Sequence, residues 1–598
     1  MLRRLVRSVL VVLVALVGIS PASATVVEDE QIASPHSADP GLHGVEFNEV
    51  SGLRDNVSVL RTDGTPGRIC TAVDASPCAT SDFTFRAVLA PCDATVAVDC
   101  IESVSATVAG QTSSGTFTGT FPLHGVTDFT GSDALGVPSG GAPGTWSFSS
   151  VPHAFGSDYQ VTVMVTGRKV SGSALSRPRS FFANITPVSI FQTSCDPQYD
   201  GHCMDTYYED PDTGTVRFAG VAADQGGGFR CQNWGENGKC ALKHAFPAGV
   251  RFALKVRLRA VPSGWLHGRL TDPSASIVTA DGVTTVTVEA APTRVPVVAA
   301  SAQYSSLPAS VRQWFDTNCS ESCGTRRRDN NWSDPLVRNA VSLPAAYKDS
   351  SFSQLDLWRD YTGDKAYAMP SVWNVRTLSD SEMSSAPACI RTGTGVTGIV
   401  SSNATLYAEG PPSFDRSTSS LLYKVSAPHW ERDGSTPFLG RYSLLLRSDI
   451  AECLYGAPDF SVGSSTVTVT GADGVARSAV TSVSATDGWY SFNASGFTHS
   501  APILRARLSP RWPTVRKGAR TKVTTLAKRY GMTVPSKATV KATVAPSSRS
   551  VCSVTARLMV SAKKAGTCRI TVAVTPPKTK KVRHPVTIRK TVTLKVTK

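Results

Sequence analysis

Fourteen cysteines, and the intervals between them, constrain this chain more than any other feature. They run Cys70-x7-Cys78, Cys92-x7-Cys100, Cys195-x7-Cys203, Cys231-x8-Cys240, Cys319-x3-Cys323, then Cys389 and Cys453, and last Cys552-x15-Cys568. An even set at ordered intervals in an exported chain reads as a disulfide framework. Pairing nearest neighbours closes five short loops and two longer ones, each short closure stabilising by about 2–3 kcal/mol through the unfolded state. A nested arrangement, Cys70–Cys100 over Cys78–Cys92 across a hairpin, competes with it, and spacing leaves the choice open. Zinc would need C-x2–4-C pairs with two further ligands nearby. Only Cys319 and Cys323 approach that spacing, and no His stands between Cys323 and His429. Neither a metal nor a cofactor is expected.

The export signal is explicit. Arg3, Arg4 and Arg7 precede an apolar run from Leu10 to Ile19, and Ala22-Ser23-Ala24 offers the small residues of a cleavage site. A membrane span needs about 20 apolar residues, and Ser20-Pro21 interrupts this run too early. The expectation is a signal peptide over 1–24 and a secreted mature protein that is not integral to a membrane.

The remaining length suits about three to five domains. With 47 Gly, 37 Pro and abundant Val and Thr, strands and turns are favoured over helices. The expected fold class is mainly β: disulfide-stapled, sandwich-like domains in series. Residues 25–50 lack periodicity and read as a leader segment. Residues 51–187 alternate with period two in Phe83–Leu89 and Tyr159–Val165, and read as a β-sandwich-like domain. Gly110 to Gly144 reads as long loops. Residues 188–300 read as a β domain with a Cys/Gly-rich insert (Gln225–Cys240), followed by strands at Val250–Arg259, Trp265–Leu270 and Thr284–Glu289. Residues 301–502 read as a mixed, mostly-β domain, with helices expected after Ser306-Leu307-Pro308 and around Ser353–Trp358.

Charge divides the chain. Overall, 61 Lys+Arg stand against 46 Asp+Glu, yet residues 503–598 hold 24 Lys+Arg and no acidic residue. Three more arginines belong to the signal, so the mature body carries 34 basic against 46 acidic side chains. Alternation in 569–575 and 591–597 predicts strands with one apolar and one cationic face.

Catalytic signatures are scarce. The G-x-S-x-G elbow, H-E-x-x-H helix, Walker loop and Rossmann fingerprint do not occur. His429-Trp430-Glu431 reads as a turn, although a triad is recognised by geometry and not by sequence. Asp210-Pro211-Asp212-Thr213-Gly214 has the opening of a calcium loop but lacks its later acids, and reads as a β-turn. Trp314, Trp332, Trp358, Trp373, Trp430 and Trp489 make 301–502 the place to look for a ligand, carbohydrate among the candidates.

The run from Cys552-Ser553-Val554 through Val560-Ser561-Ala562-Lys563-Lys564 to Ala565-Gly566-Thr567-Cys568-Arg569-Ile570-Thr571-Val572 resembles bacterial Ig-like modules, in which a strand of this kind closes the sandwich. The resemblance covers about the last 90 residues and implies a basic Ig-like domain over 503–598. Two departures stand out, the bridging cysteines and the basic excess. The body, with its paired cysteines and Arg447 to Gly456, resembles secreted multidomain proteins of high-GC Gram-positive bacteria, which implies a compartment and no particular reaction.

A polycation favours any polyanion. Nucleic acid would add stacking aromatics, and only Trp512 and Tyr530 are available, so specific nucleic acid recognition is not expected. The sequence therefore reads as a cell-surface-associated structural or binding protein. Its Lys563, Lys564, Arg569, Lys578, Lys580, Lys581, Arg583, Arg589 and Lys590 are expected to contact anionic envelope polymers or lipid headgroups. The competing reading is an extracellular hydrolase of cell-wall or other polymer, with its site in 301–502.

Overall fold

The computed structural model describes residues 42–48, 58–64, 67–121, 128–170, 180–192, 207–209, 216–218, 231–234, 239–259, 264–303, 306–313, 340–344, 346–347, 349–471, 474–499, 502–577 and 585–598. The fold is mainly β, in several sheets with a few short helices, and among the described residues no helix is long and apolar enough to cross a membrane. The signal stretch, the Asp210–Gly214 turn, Trp314 and Trp332 lie outside the described residues, as do the side chains of Cys195, Cys203, Cys231, Cys240, Cys319 and Cys323.

Four disulfides are described: Cys70–Cys78, Cys92–Cys100, Cys389–Cys453 and Cys552–Cys568, with Cα separations of 6.1, 4.9, 5.8 and 5.8 Å. Nearest-neighbour pairing holds for these, and the nested arrangement across Cys70–Cys100 is not adopted.

One large sheet is the spine of the body. Its central order is Val59–Thr62, Phe83–Val88, Asp158–Lys169, Ser180–Gln192, Ser371–Thr377, Gly264–Arg269, Val396–Ser402, Gly440–Arg447, Trp489–Phe497 and Val480–Thr486. Hydrogen bonding thus passes over positions 187/188 and 300/301: Trp373 to Arg376 pair with Phe182 to Ile185, and Gly264 to Gly268 pair in parallel with Val396 to Ser401. Strands distant in sequence share one wall.

A second sheet covers each side of that wall. On one side lie Thr271–Ala280, Val283–Ala291, Arg251–Leu258, Cys100–Val108 and Gln111–Ser114. They enclose a core with Phe85, Val163, Phe252, Leu254 and Leu266. On the other side lie Ala346–Tyr347, Leu406–Ala408, Ser420–Ser426, Ile503–Arg511 and Asp459–Thr470, over a core with Trp265, Val400, Tyr442, Leu444 and Phe497. Central strands are consequently buried on both faces, as in Val396–Ser402, where all seven residues are buried. Such strands can lose the period-two signature, as Val396–Ser402 does, whereas Tyr159–Val165 keeps it through buried Gln160 and Thr162.

Close approach between strands is set by two glycines. Gly398 sits beneath the Trp265 ring, where an added Cβ would fall 2.3 Å from ring carbons, and Gly440 sits beneath Phe497 with the corresponding distance 2.2 Å. Both are cross-strand partners of the aromatic that covers them or of its neighbour in the ladder.

Helices are few. Asp349–Arg359 buries Phe352, Leu355 and Trp358 against Phe47 and Val298, and Leu307 and Val311 of a short helical turn join the same cluster. Within 25–50, Leu42–Asn48 is a strand, antiparallel to Val298–Gln303 and parallel to Ala340–Pro344. Within 110–144, Gln111–Ser114 and Thr116–Thr120 are strands where loops were expected.

Candidate polyanion-binding face

The basic region does not fold as one piece from 503. Ile503–Arg511 is a strand of the body, paired with Ser420–Ser426 and Asp459–Thr470, and its Arg505 and Arg511 lie 3.8 and 4.0 Å from Asp415 and Asp459. The unit with its own core begins after Trp512. Four strands form one sheet, in the order Thr514–Arg516, Ile588–Thr597, Gly566–Thr575 and Thr539–Val544. Three form the other, Arg520–Lys522, Met559–Ala562 and Cys552–Val554. Between them Ile570, Val572, Val574, Val592, Leu594 and Val560 are buried, and Cys552–Cys568 pins the two sheets together. The helix Val523–Arg529 contributes Val523, Leu526 and Ala527 to that core.

Side-chain alternation then sorts the cations. In Gly566–Thr575 the even residues from Cys568 to Val574 point inward, leaving Arg569 and Thr571 exposed. Thr593 pairs with Arg569, Lys595 with Thr567, Arg589 with Ala573, and Ala573 with Lys541 on the far strand. Thr514 and Arg516 run beside Lys595 and Thr597. Arg516, Lys541, Arg569, Arg589 and Lys595 therefore share the outer face of one sheet, all exposed, with small hydroxyl-bearing neighbours between them. Adjacent strands are about 4.8 Å apart. Like charges about 10 Å apart repel by only about 0.4 kcal/mol each in water, so the face is tolerated but holds a standing repulsion that a polyanion relieves.

Of the expected contact residues, Arg569 and Arg589 lie on this face. Lys563 and Lys564 are exposed in the turn before Gly566. Lys578, Lys580, Lys581 and Arg583 lie outside the described residues. Lys590 is placed differently. Its parity matches Val592 and Leu594, so it turns inward, where its Nζ donates to the Tyr530 carbonyl (2.6 Å) and meets the Glu452 carboxylate of the body (3.2 Å). Tyr530, whose hydroxyl caps the Thr593 backbone, is pushed up to about 12 by burial. Arg516, Lys541 and Lys595 were absent from the expected set. Lys541 joins the face by pairing with Ala573 and Lys595 by pairing with Thr567, and such long-range pairings leave no local mark.

Among the described residues Lys590 is the one cation of the unit that meets a carboxylate. The unit itself contains no Asp or Glu. Among the described residues, attraction between the acidic body and the basic unit is thus met at a single contact, and the five cations of the outer face have no Asp or Glu beside them.

Within 301–502, His429 comes together with Asp364 and Arg359. The His429 Nδ1 bonds the Asp364 carboxylate, which also accepts the His429 backbone N–H at 3.1 Å. Arg359 reaches Asp356 at 2.9 Å, Ser426 Oγ at 3.2 Å and the His499 carbonyl at 3.3 Å. His499 is fully buried against Phe438, and burial, then His429 and Arg359, push it down to about 3. A carboxylate-oriented imidazole is the arrangement acid–base chemistry requires. Here the same bonds fasten the helix Asp349–Arg359 to the 429–430 loop. Trp358 and Trp373 are buried core, whereas Trp430 is 37% exposed and Trp489 half-buried.

No protein-family model matches the chain, and no curated protein matches it.

Proposed function

We propose that this is a secreted, cell-surface-associated structural or binding protein whose basic C-terminal unit, an Ig-like module, contacts anionic envelope polymers or lipid headgroups. The observation that carries this reading is the outer face holding Arg516, Lys541, Arg569, Arg589 and Lys595, exposed in a unit without a single Asp or Glu. Disulfides add weight, since chains of this kind persist in oxidising compartments. The ligand's chemistry is that of closely spaced phosphates or carboxylates, from a polymer or from a bilayer.

The test is sedimentation of the mature protein with immobilised poly(glycerol phosphate) and, separately, with phosphatidylglycerol vesicles. Binding at low salt is expected to disappear by about 0.5 M, where the screening length is about 4 Å. Replacing Lys541, Arg569, Arg589 and Lys595 by Glu is expected to weaken it by more than about tenfold, or 1.4 kcal/mol. Which arm binds identifies the source. A protein that stays on cells through the salt wash, or a charge-reversed variant that binds as well as wild type, removes the electrostatic reading. A truncation control must begin at Pro513, because Ile503–Arg511 belongs to the body. The hydrolase reading would draw on the Asp364-oriented His429, and polymer turnover abolished by His429→Gln would replace the binding reading.

A further inference from the structure

A recess of about 570 Å³ opens on the body, within the range of about 300–1,000 Å³ in which small-molecule sites fall. Three segments frame it: the Thr394–Val396 loop, the first turn of the helix Ser448–Tyr455, and the hairpin turn Asp487-Gly488. Ile277 and Thr279 of the strand Thr271–Ala280 close the fourth side. Trp489 lines the recess while its inner edge packs on the first core.

The frame is fixed before any ligand arrives. Arg447, the ladder partner of Trp489, donates from Nε and Nη2 to the two Asp449 oxygens at 2.6 and 2.9 Å. Its Nη1 donates to the Thr394 and Val396 carbonyls, both at 2.7 Å. The Ser448 N–H donates to the Gly488 carbonyl at 2.8 Å. Asp487 and Gly488 occupy left-handed conformations, φ 48° and 81°, as a two-residue hairpin turn demands. Four of the five guanidinium N–H donors hold the rim together, and the Arg447 charge is paired with Asp449.

What remains to face a ligand is an indole, the exposed Asp487 carboxylate and the outer part of Asp449, 59% exposed. An aromatic ring beside carboxylate acceptors matches a pyranose, whose C–H face packs on the ring while its hydroxyls donate. An acidic sugar or a phosphate would meet two carboxylates against one lining cation, Arg447, that is already paired with Asp449. We infer that this recess binds a neutral, hydroxyl-rich glycan. The proposal stands apart from the cationic face and its ligand is uncharged, so either can fail without the other.

The experiment is calorimetric titration of the mature protein with maltotetraose, mannotetraose and galactotetraose at two salt concentrations. At least one is expected to bind with a millimolar-scale constant that salt does not change. Trp489→Leu and Asp487→Asn are each expected to weaken it about tenfold or more, and Trp489→Phe to retain part of it. Asn tolerates the left-handed turn, so Asp487→Asn keeps the fold even if Trp489→Leu does not. The inference is overturned if none of the three binds at about 20 mM, if the Asp487 and Trp489 variants bind undiminished, or if tetragalacturonate binds there more tightly than the neutral probes.

Discussion

The Arg376–Glu382 pair shows how one side chain, Arg376, can tie opposing sheets together. Arg376 donates to both Glu382 oxygens at 3.0 and 2.7 Å and to the Tyr407 hydroxyl at 3.2 Å, and Tyr407 stacks on His267 at 3.7 Å. Burial alone would raise the Glu382 carboxyl. The Arg376 bonds and charge, with the Ser379 N–H and hydroxyl, outweigh it and hold the carboxyl below its ordinary range. A depressed carboxylate contributes stability that is present above its unfolded pKa and lost as pH falls through the folded one. Denaturant midpoints should therefore fall below about pH 4, and Glu382→Gln should remove about 3–5 kcal/mol at pH 7 while flattening that acid limb. Tyr442 makes the opposite case. Its buried hydroxyl has no hydrogen-bond partner among the described residues, so Tyr442→Phe should leave stability unchanged or raise it by up to about 1 kcal/mol. Little of this was legible. Trp265-Leu266-His267-Gly268-Arg269-Leu270 reads as a half-polar strand, yet His267 and Arg269 are both buried. The carbonyls that accept from Arg269 belong to Ser402 and Ala404, more than 130 residues away. Lys590 was legible in principle, since its parity with Val592 already pointed it inward.

Strands were more readable than helices, and a buried strand stayed readable where polar residues kept its alternation, as Gln160 and Thr162 do within Tyr159–Val165. Arg251–Leu258 alternates cleanly, as its sequence says, because one face of its sheet meets solvent. Ser448–Tyr455 and Val523–Arg529 are helices that the pattern did not reveal. The first is only eight residues long and stops at Gly456 in a left-handed conformation, φ 66°. The second begins Val-Thr-Thr, a β-branched start that local propensity assigns to strand, and its burial against the module's core overrides that preference. The Trp265–Gly398 contact offers a test at this scale. Gly398→Ala should cost about 1–3 kcal/mol, and a double-mutant cycle with Trp265→Leu should recover a coupling of about 0.5–3 kcal/mol in urea melts. Additive effects would mean the ring and the glycine are not in contact. In the basic unit, replacing Cys552 and Cys568 by Ala opens a loop of 16 residues and should cost about 3 kcal/mol.

At the scale of the molecule, the shared sheet and the separate basic core imply different unfolding behaviour. Removing any part of the central wall exposes both flanking cores, so the body should melt as one cooperative block despite its length. Among the described residues, the ion pair between the body and the basic unit, with its own apolar centre around Ile570 and Leu594, is Lys590–Glu452, and the chain passes from one to the other at Trp512-Pro513. That pair keeps 35% and 26% side-chain exposure, which places it near the weak end, about 0–1 kcal/mol. Such a link is too small to couple two cores whose stabilities are each several kcal/mol. Scanning calorimetry should accordingly resolve two transitions, and the Cys552/Cys568 double variant should lower the smaller one alone. Glu452→Gln should move neither by more than about 0.5 kcal/mol equivalent, while small-angle scattering at low salt registers a larger radius of gyration as the unit loses its only ionic tether among the described residues. A single transition that shifts as a whole in the disulfide variant would show that body and unit form one block. The cationic face would then be held at a fixed angle to the body instead of hinging at Pro513.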